Sequence, residues 1–228
     1  MKRFAFLPLF ALLALNACDD DDDPTGNENQ ARIRIVNASP GNTSVNVFLD
    51  NQQEVGGVGF GTASACPGAE IPAGQRTLQF RATGSQTTLR DVPFNFQANQ
   101  SYTVVLYGSG GTLNGAVFQE SPVTTPSAGN HAFRIINATT GVADVYVTPP
   151  GAAIGTVDID ALAAGTATTN AVYRQFPEAE TRVRFTDDGS TTVRADITLD
   201  DDPNVGATTF VYHETTTGRA AIQVNPCT

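Results

Sequence analysis

A near-repeat constrains this chain more than any other feature: Arg32-Ile-Arg-Ile-Val-Asn-Ala-Ser-Pro40 returns as Ala132-Phe-Arg-Ile-Ile-Asn-Ala-Thr-Thr140. Each copy opens on β-branched and aromatic residues. Each then reaches Asn-Ala-Ser or Asn-Ala-Thr, polar residues that bond their own backbone and end a strand in a turn. The repeat predicts two similar units of ordinary domain size, residues 31–120 and 131–228, joined by the Pro-containing linker 121–130.

In the first unit Ile33 and Ile35 alternate with Arg32 and Arg34, and Val45, Val47 and Leu49 alternate with Asn46 and Phe48. This period of two predicts half-buried strands. Leu78 and Phe80, Tyr102 to Tyr107 and Ala116 to Phe118 add further strands, with turn residues about every ten positions, the spacing of a β-sandwich. Seven or eight short strands are expected in this unit. In the second, Arg134 to Ala138 and Ala143 to Val147 repeat the opening strands, while Arg182 to Phe185 and Thr208 to Tyr212 keep later strand positions. Ala195, Ile197 and Leu199 alternate with Arg194, Asp196 and Thr198, which predicts a strand with one charged face.

Lys2 and Arg3 precede an apolar run from Phe4 to Leu15 that is too short to cross a bilayer core of about 30 Å as a helix. Leu15-Asn-Ala-Cys18 then has the form of a lipoprotein signal, so residues 1–17 are expected to be removed and Cys18 to carry lipid at the new N-terminus. Asp19 to Asp23 and the polar residues to Gln30 make residues 18–30 a solvated tether. The expected location is the periplasmic side or surface of a bacterium, anchored through Cys18. The net charge of -10 disfavours nucleic acid as a partner.

With Cys18 lipidated, Cys66 and Cys227 are the remaining thiols, and an oxidising compartment tends to pair them. No short Cys spacing suggests zinc; Asp158-Ile-Asp160 resembles the start of an EF-hand loop but lacks its central Gly and terminal Glu, and Asp200 to Asp202, whose carboxylates could help hold calcium, read as a solvated turn, so no metal or cofactor is expected. Gly57-x-Gly59-x-Gly61 has no helix behind it to cradle phosphate and is expected to be a loop or bulge. Catalytic chemistry is sparse: the histidines are His131 and His213, lysine is absent after Lys2, and there is no Gly-x-Ser-x-Gly elbow. The chain is therefore expected to be a non-enzymatic binding or structural module with an envelope protein or glycan as partner. A carbohydrate-binding or adhesion module would need exposed aromatics, for which Phe48, Tyr107, Tyr146 and Tyr212 are candidates, and a hydrolase would need paired carboxylates. The loops around Pro40 to Ser44, Gly56 to Gly61 and Thr139 to Val142 are the expected recognition surface.

Arg34-Ile-Val-Asn-Ala-Ser-Pro-Gly41, Val45-Asn-Val-Phe-Leu-Asp50, Pro72-Ala-Gly74, Leu78 to Gly84 and Tyr102 to Gly108 together resemble the bacterial family called domain of unknown function 4397. That family carries Asp between the two valines of its second strand, where the first unit has Asn46 and the second Asp144. The resemblance implies an exported, all-β, immunoglobulin-like module, often in tandem and often on lipoproteins. It implies no known activity.

Overall fold

The computed structural model describes residues 29–120, 126–168, 173–178, 182–199 and 208–225. The chain is all-β, with four sheets arranged as two immunoglobulin-like sandwich halves. The first half contains β1 (Gln30–Ala38), β2 (Ser44–Leu49), β3 (Gln52–Gly59), β4 (Thr62–Ala63), β5 (Ala69–Pro72), β6 (Gly74–Ala82), β7 (Thr88–Phe96), β8 (Ser101–Tyr107) and β9 (Asn114–Gln119). One strand more than expected arises because the chain between β3 and β6 contributes two short pieces, β4 and β5, which both pair with β1. The second half repeats the order with β10 (Asn130–Ala138), β11 (Ala143–Thr148), β12 (Ile159–Leu162), β13 (Thr166–Ala167), β14 (Arg174–Pro177), β15 (Arg182–Asp187), β16 (Val193–Thr198), β17 (Thr208–Glu214) and β18 (Arg219–Val224).

Each half has an inner sheet, β4 or β5 with β1-β8-β9 and its counterpart β13 or β14 with β10-β17-β18. The outer sheets are β3-β2-β6-β7 and β12-β11-β15-β16. Most pairs are antiparallel, but β1 runs parallel to β8 over seven residue pairs, Arg32 with Ser101 through Ala38 with Tyr107. The β2–β3 hairpin turns on Asp50 and Asn51, both at positive φ (50° and 65°), as a two-residue turn between right-twisted strands requires. The glycine-rich stretch is the end of edge strand β3, bulged where Val45 and Val47 pair with Val58 and Val55, and Gly57 takes φ 69° there.

The expected alternation holds for the sandwich cores. Ile33, Ile35, Val45, Val47, Leu78 and Phe80 pack together in the first half, and Phe133, Ile135, Val145, Phe185 and Phe210 in the second. Ala195 and Ile197 pack against the second core, while Arg194 and Asp196 pair with Asp187 and Arg182 on the other face of β16.

The expectation of half-buried opening strands fails on their other face. Val36, Ala38, Val105 and Phe118 pack with Ile136, Ala138, Val211 and Val224, so the inner sheets of the two halves lie face to face over a third apolar layer. Arg34 and Arg134 share this face and are 2% and 0% exposed. Period two gave these arginines a polar side, and the other half of the molecule covers it.

Candidate functional site

A cluster of buried charge lies in that junction. Arg34 on β1 stands beside Thr103 on β8, and Arg134 on β10 stands beside Thr209 on β17, the same position in each repeat. Glu120, directly after β9, joins them. Arg134 donates from Nη2 to Glu120 Oε1 at 2.8 Å, from Nη1 to the Gln119 carbonyl at 2.8 Å and from Nε to Thr209 Oγ1 at 2.9 Å. Thr103 donates a short hydrogen bond to Glu120, and Tyr173 donates to its other oxygen at 3.1 Å. The Arg134 guanidinium also lies 5.5 Å from the centre of the Tyr173 ring. Burial, and then the Glu120 charge, raise the Tyr173 pKa, so its hydroxyl stays a donor. Burial lowers the Arg34 pKa, and Glu120 acts the other way. A carboxylate beside two buried guanidiniums is a structural lock, because both carboxylate oxygens of Glu120 are engaged inside the protein.

Contacts at the ends of the junction are reciprocal, as at an isologous interface. His213, at the end of β17, meets Phe60 of the first half edge-on at 5.4 Å. Tyr107, at the corresponding end of β8, covers Gly165 so closely that a Cβ there would lie 2.1 Å from its hydroxyl. Part of the expected Gly56 to Gly61 recognition surface is thus turned inward. The remaining loops are tied to one buried side chain. Asn37 donates to the carbonyls of Asn42 at 2.8 Å and Val58 at 3.2 Å, and its Oδ1 accepts from Ser39 N–H at 3.2 Å. Asn137 does the same with Gly141 and Leu162, both at 2.8 Å, and with Thr139 N–H at 3.0 Å. The Asn-Ala-Ser/Thr signature therefore braces the loops.

Of the candidate aromatics, Phe48, Tyr146 and Tyr212 are 9%, 7% and 1% exposed, and Tyr107 is half-buried against the second half. Arg81 lies over the Phe48 ring at 4.2 Å. The aromatic platform a glycan reader needs is not presented by these residues. An open groove of about 270 Å³ runs beside β3 and β4, lined by Glu54, Gly56, Gly57, Ser64 and Gly68. Cys66 is exposed in the adjoining loop, whereas Cys18, Cys227, Asp19 to Asp23 and Asp200 to Asp202 lie outside the described residues. Asp144, Asp160 and Asp188 bring carboxylate oxygens within 4.8 Å of one another, a grouping the sequence reading missed because it treated Asp158 to Asp160 alone.

With this geometry in view, the family model described as domain of unknown function, DUF4397, matches residues 31–148. The chain belongs to this family. The DUF4397 match runs from β1 to the end of β11, taking in Asn37 and Asn137, both junction arginines and Glu120. No curated protein matches the chain.

Burial lowers the His213 pKa, while a hydrogen-bond contact of Nδ1 with the Glu214 carbonyl at 2.8 Å opposes the shift. Unfolded His213 therefore binds a proton first. Its contribution to stability is full above about pH 6.5 and is lost as pH falls from there towards the folded value, at up to about 1.4 kcal/mol per pH unit. Urea unfolding at pH 7.5 and pH 5.5 should show a smaller loss in His213→Gln than in the parent chain.

Proposed function

We propose that the chain is a non-enzymatic lipoprotein of the bacterial cell envelope, in which two tandem modules form one stiff body on a lipid-anchored acidic tether. The junction carries the reading: halves joined through Glu120, Arg134 and a shared apolar layer hold a fixed shape, which suits a spacer or recognition surface. Leu15 to Cys18 supports the anchor, and the aspartates after it support the tether. The non-enzymatic reading is supported by the position of the histidines. His213 is enclosed between the halves, and the Nε2 of His131 is buried. Cys66 is proposed to pair with Cys227, a reading supported by its exposed position on a loop.

Intact-mass analysis of the membrane fraction reads both modifications at once. A chain beginning at lipid-bearing Cys18, and lacking two hydrogens relative to the reduced form, is expected. Cys18→Ser should move the protein to the soluble fraction. An unmodified Cys18, or reproducible turnover of a glycosidase, esterase or peptidase substrate by the purified chain, would overturn the respective part.

A further inference from the structure

Three carboxylates far apart in sequence meet at the outer sheet of the second half. Asp144 lies on β11, Asp160 on β12 and Asp188 in the turn from β15 to β16. Asp144 is buried, and its carboxylate is held in place: Oδ1 accepts from Ala161 N–H and Oδ2 from Gly189 N–H, both at 2.9 Å. Each oxygen keeps a further lone pair. Asp160 and Asp188 are exposed and complete the group.

The first half fills the same positions differently. Strand register places Asn46 at the Asp144 position, Gly56 at that of Asp160 and Thr83 at that of Asp188. Asn46 Oδ1 accepts there from Gly57 N–H at 2.8 Å and the Thr83 hydroxyl at 3.1 Å, a neutral arrangement satisfied by protein alone. In the second half three negative groups occupy the equivalent space. Among the described residues, the nearby ion pairs Arg182–Asp196 and Arg194–Asp187 use other carboxylates.

An independent observation comes from Thr186. It stands directly opposite Asp144 in the β11–β15 register, so both side chains project from the same face of the sheet. It is 0% exposed, and among the described residues its hydroxyl has no hydrogen-bond partner. An orphaned buried hydroxyl beside a fixed carboxylate is a destabilising arrangement that a bound cation resolves. Size selects among cations. Calcium–oxygen distances of about 2.3–2.6 Å put opposite ligands roughly 5 Å apart, whereas magnesium holds them at about 4.1 Å in a stricter octahedron. A carboxylate spread of up to 4.8 Å fits the larger ion.

We propose that Asp144, Asp160 and Asp188, with the Thr186 hydroxyl, form a calcium site that ties β11, β12 and the β15–β16 turn together. Water fills the remaining positions. The site does not depend on the anchored-module reading. Its test is calorimetric titration of the purified full chain with calcium chloride after chelation, alongside thermal unfolding with and without calcium. Saturable one-site binding and a raised Tm are expected. Asp160→Asn and Asp188→Asn should each weaken binding by about ten-fold or more, since a shell of three carboxylates loses one, and should leave Tm in chelator unchanged or higher. Thr186→Val should weaken binding less. Neither heat nor a Tm shift at about 10 mM calcium, above the range of weak extracellular sites, would overturn the proposal. Unaltered affinity in both aspartate variants would do so too, by placing the ion elsewhere, for instance on Asp19 to Asp23.

Discussion

Glu120→Gln should destabilise the chain by about 3–5 kcal/mol, the range found when one partner of a buried ion pair is removed. The neutral amide fills the same space, so the loss reports charge and hydrogen bonding. It leaves Arg34 and Arg134 in the junction without the carboxylate between them, each too buried for water to screen. Arg134→Met should cost less, because Glu120 then still has the Arg34 charge, Thr103 and Tyr173. Urea unfolding measures both. A Glu120→Gln loss below about 1 kcal/mol would show that the junction is held by its apolar layer alone, and a larger loss for Arg134→Met would move the main polar hold from Glu120 to Arg134 and its bonds to Thr209 and the Gln119 carbonyl. Glu120→Gln should also split a single unfolding transition into two, since the halves then lose their strongest polar coupling.

Asn137→Ala should cost on the order of 3 kcal/mol. The substitution removes the side-chain donor to the Leu162 carbonyl inside the protein and takes an acceptor from the Thr139 amide, while the Thr139 hydroxyl still reaches the Gly141 carbonyl at 3.0 Å. A buried group left without a partner costs roughly 1–3 kcal/mol, and repacking around alanine recovers only part of that sum. Asn137→Asp is the informative companion: it keeps the acceptor and loses the donor. It turns a buried carboxylate oxygen towards two carbonyl oxygens and should therefore cost at least as much as alanine in thermal unfolding at neutral pH, whereas equal stability of all three would sink the bracing role.

The sandwich halves were legible because burial of one sheet face writes a period of two into the sequence, and Ile33, Ile35, Leu78 and Phe80 carry it. The junction was misread because the same rule assigns every alternate polar residue to water. A corrective signal was nevertheless present. Ile35-Val36, Val104-Val105-Leu106 and Ile135-Ile136 are continuous apolar runs, the mark of strands covered on both faces. Arg34 and Arg134 interrupt those runs at the same place in each repeat. The acidic group was illegible for another reason. Asp144, Asp160 and Asp188 become neighbours only through strand register and a bulge, which no local spacing reveals.

The parallel pairing of β1 with β8 bears on how the molecule responds to load. A pull on the chain ahead of Gln30 enters the structure along β1, which is bonded to β8 on one side and to β4 and β5 on the other. Tension along such a strand shears its ladders together instead of peeling them one bond at a time, as it would at the free end of a hairpin. Resistance to forced opening is set by the unfolding rate. The first strand is consequently placed where rupture of the body demands simultaneous loss of the hydrogen bonds on both of its sides.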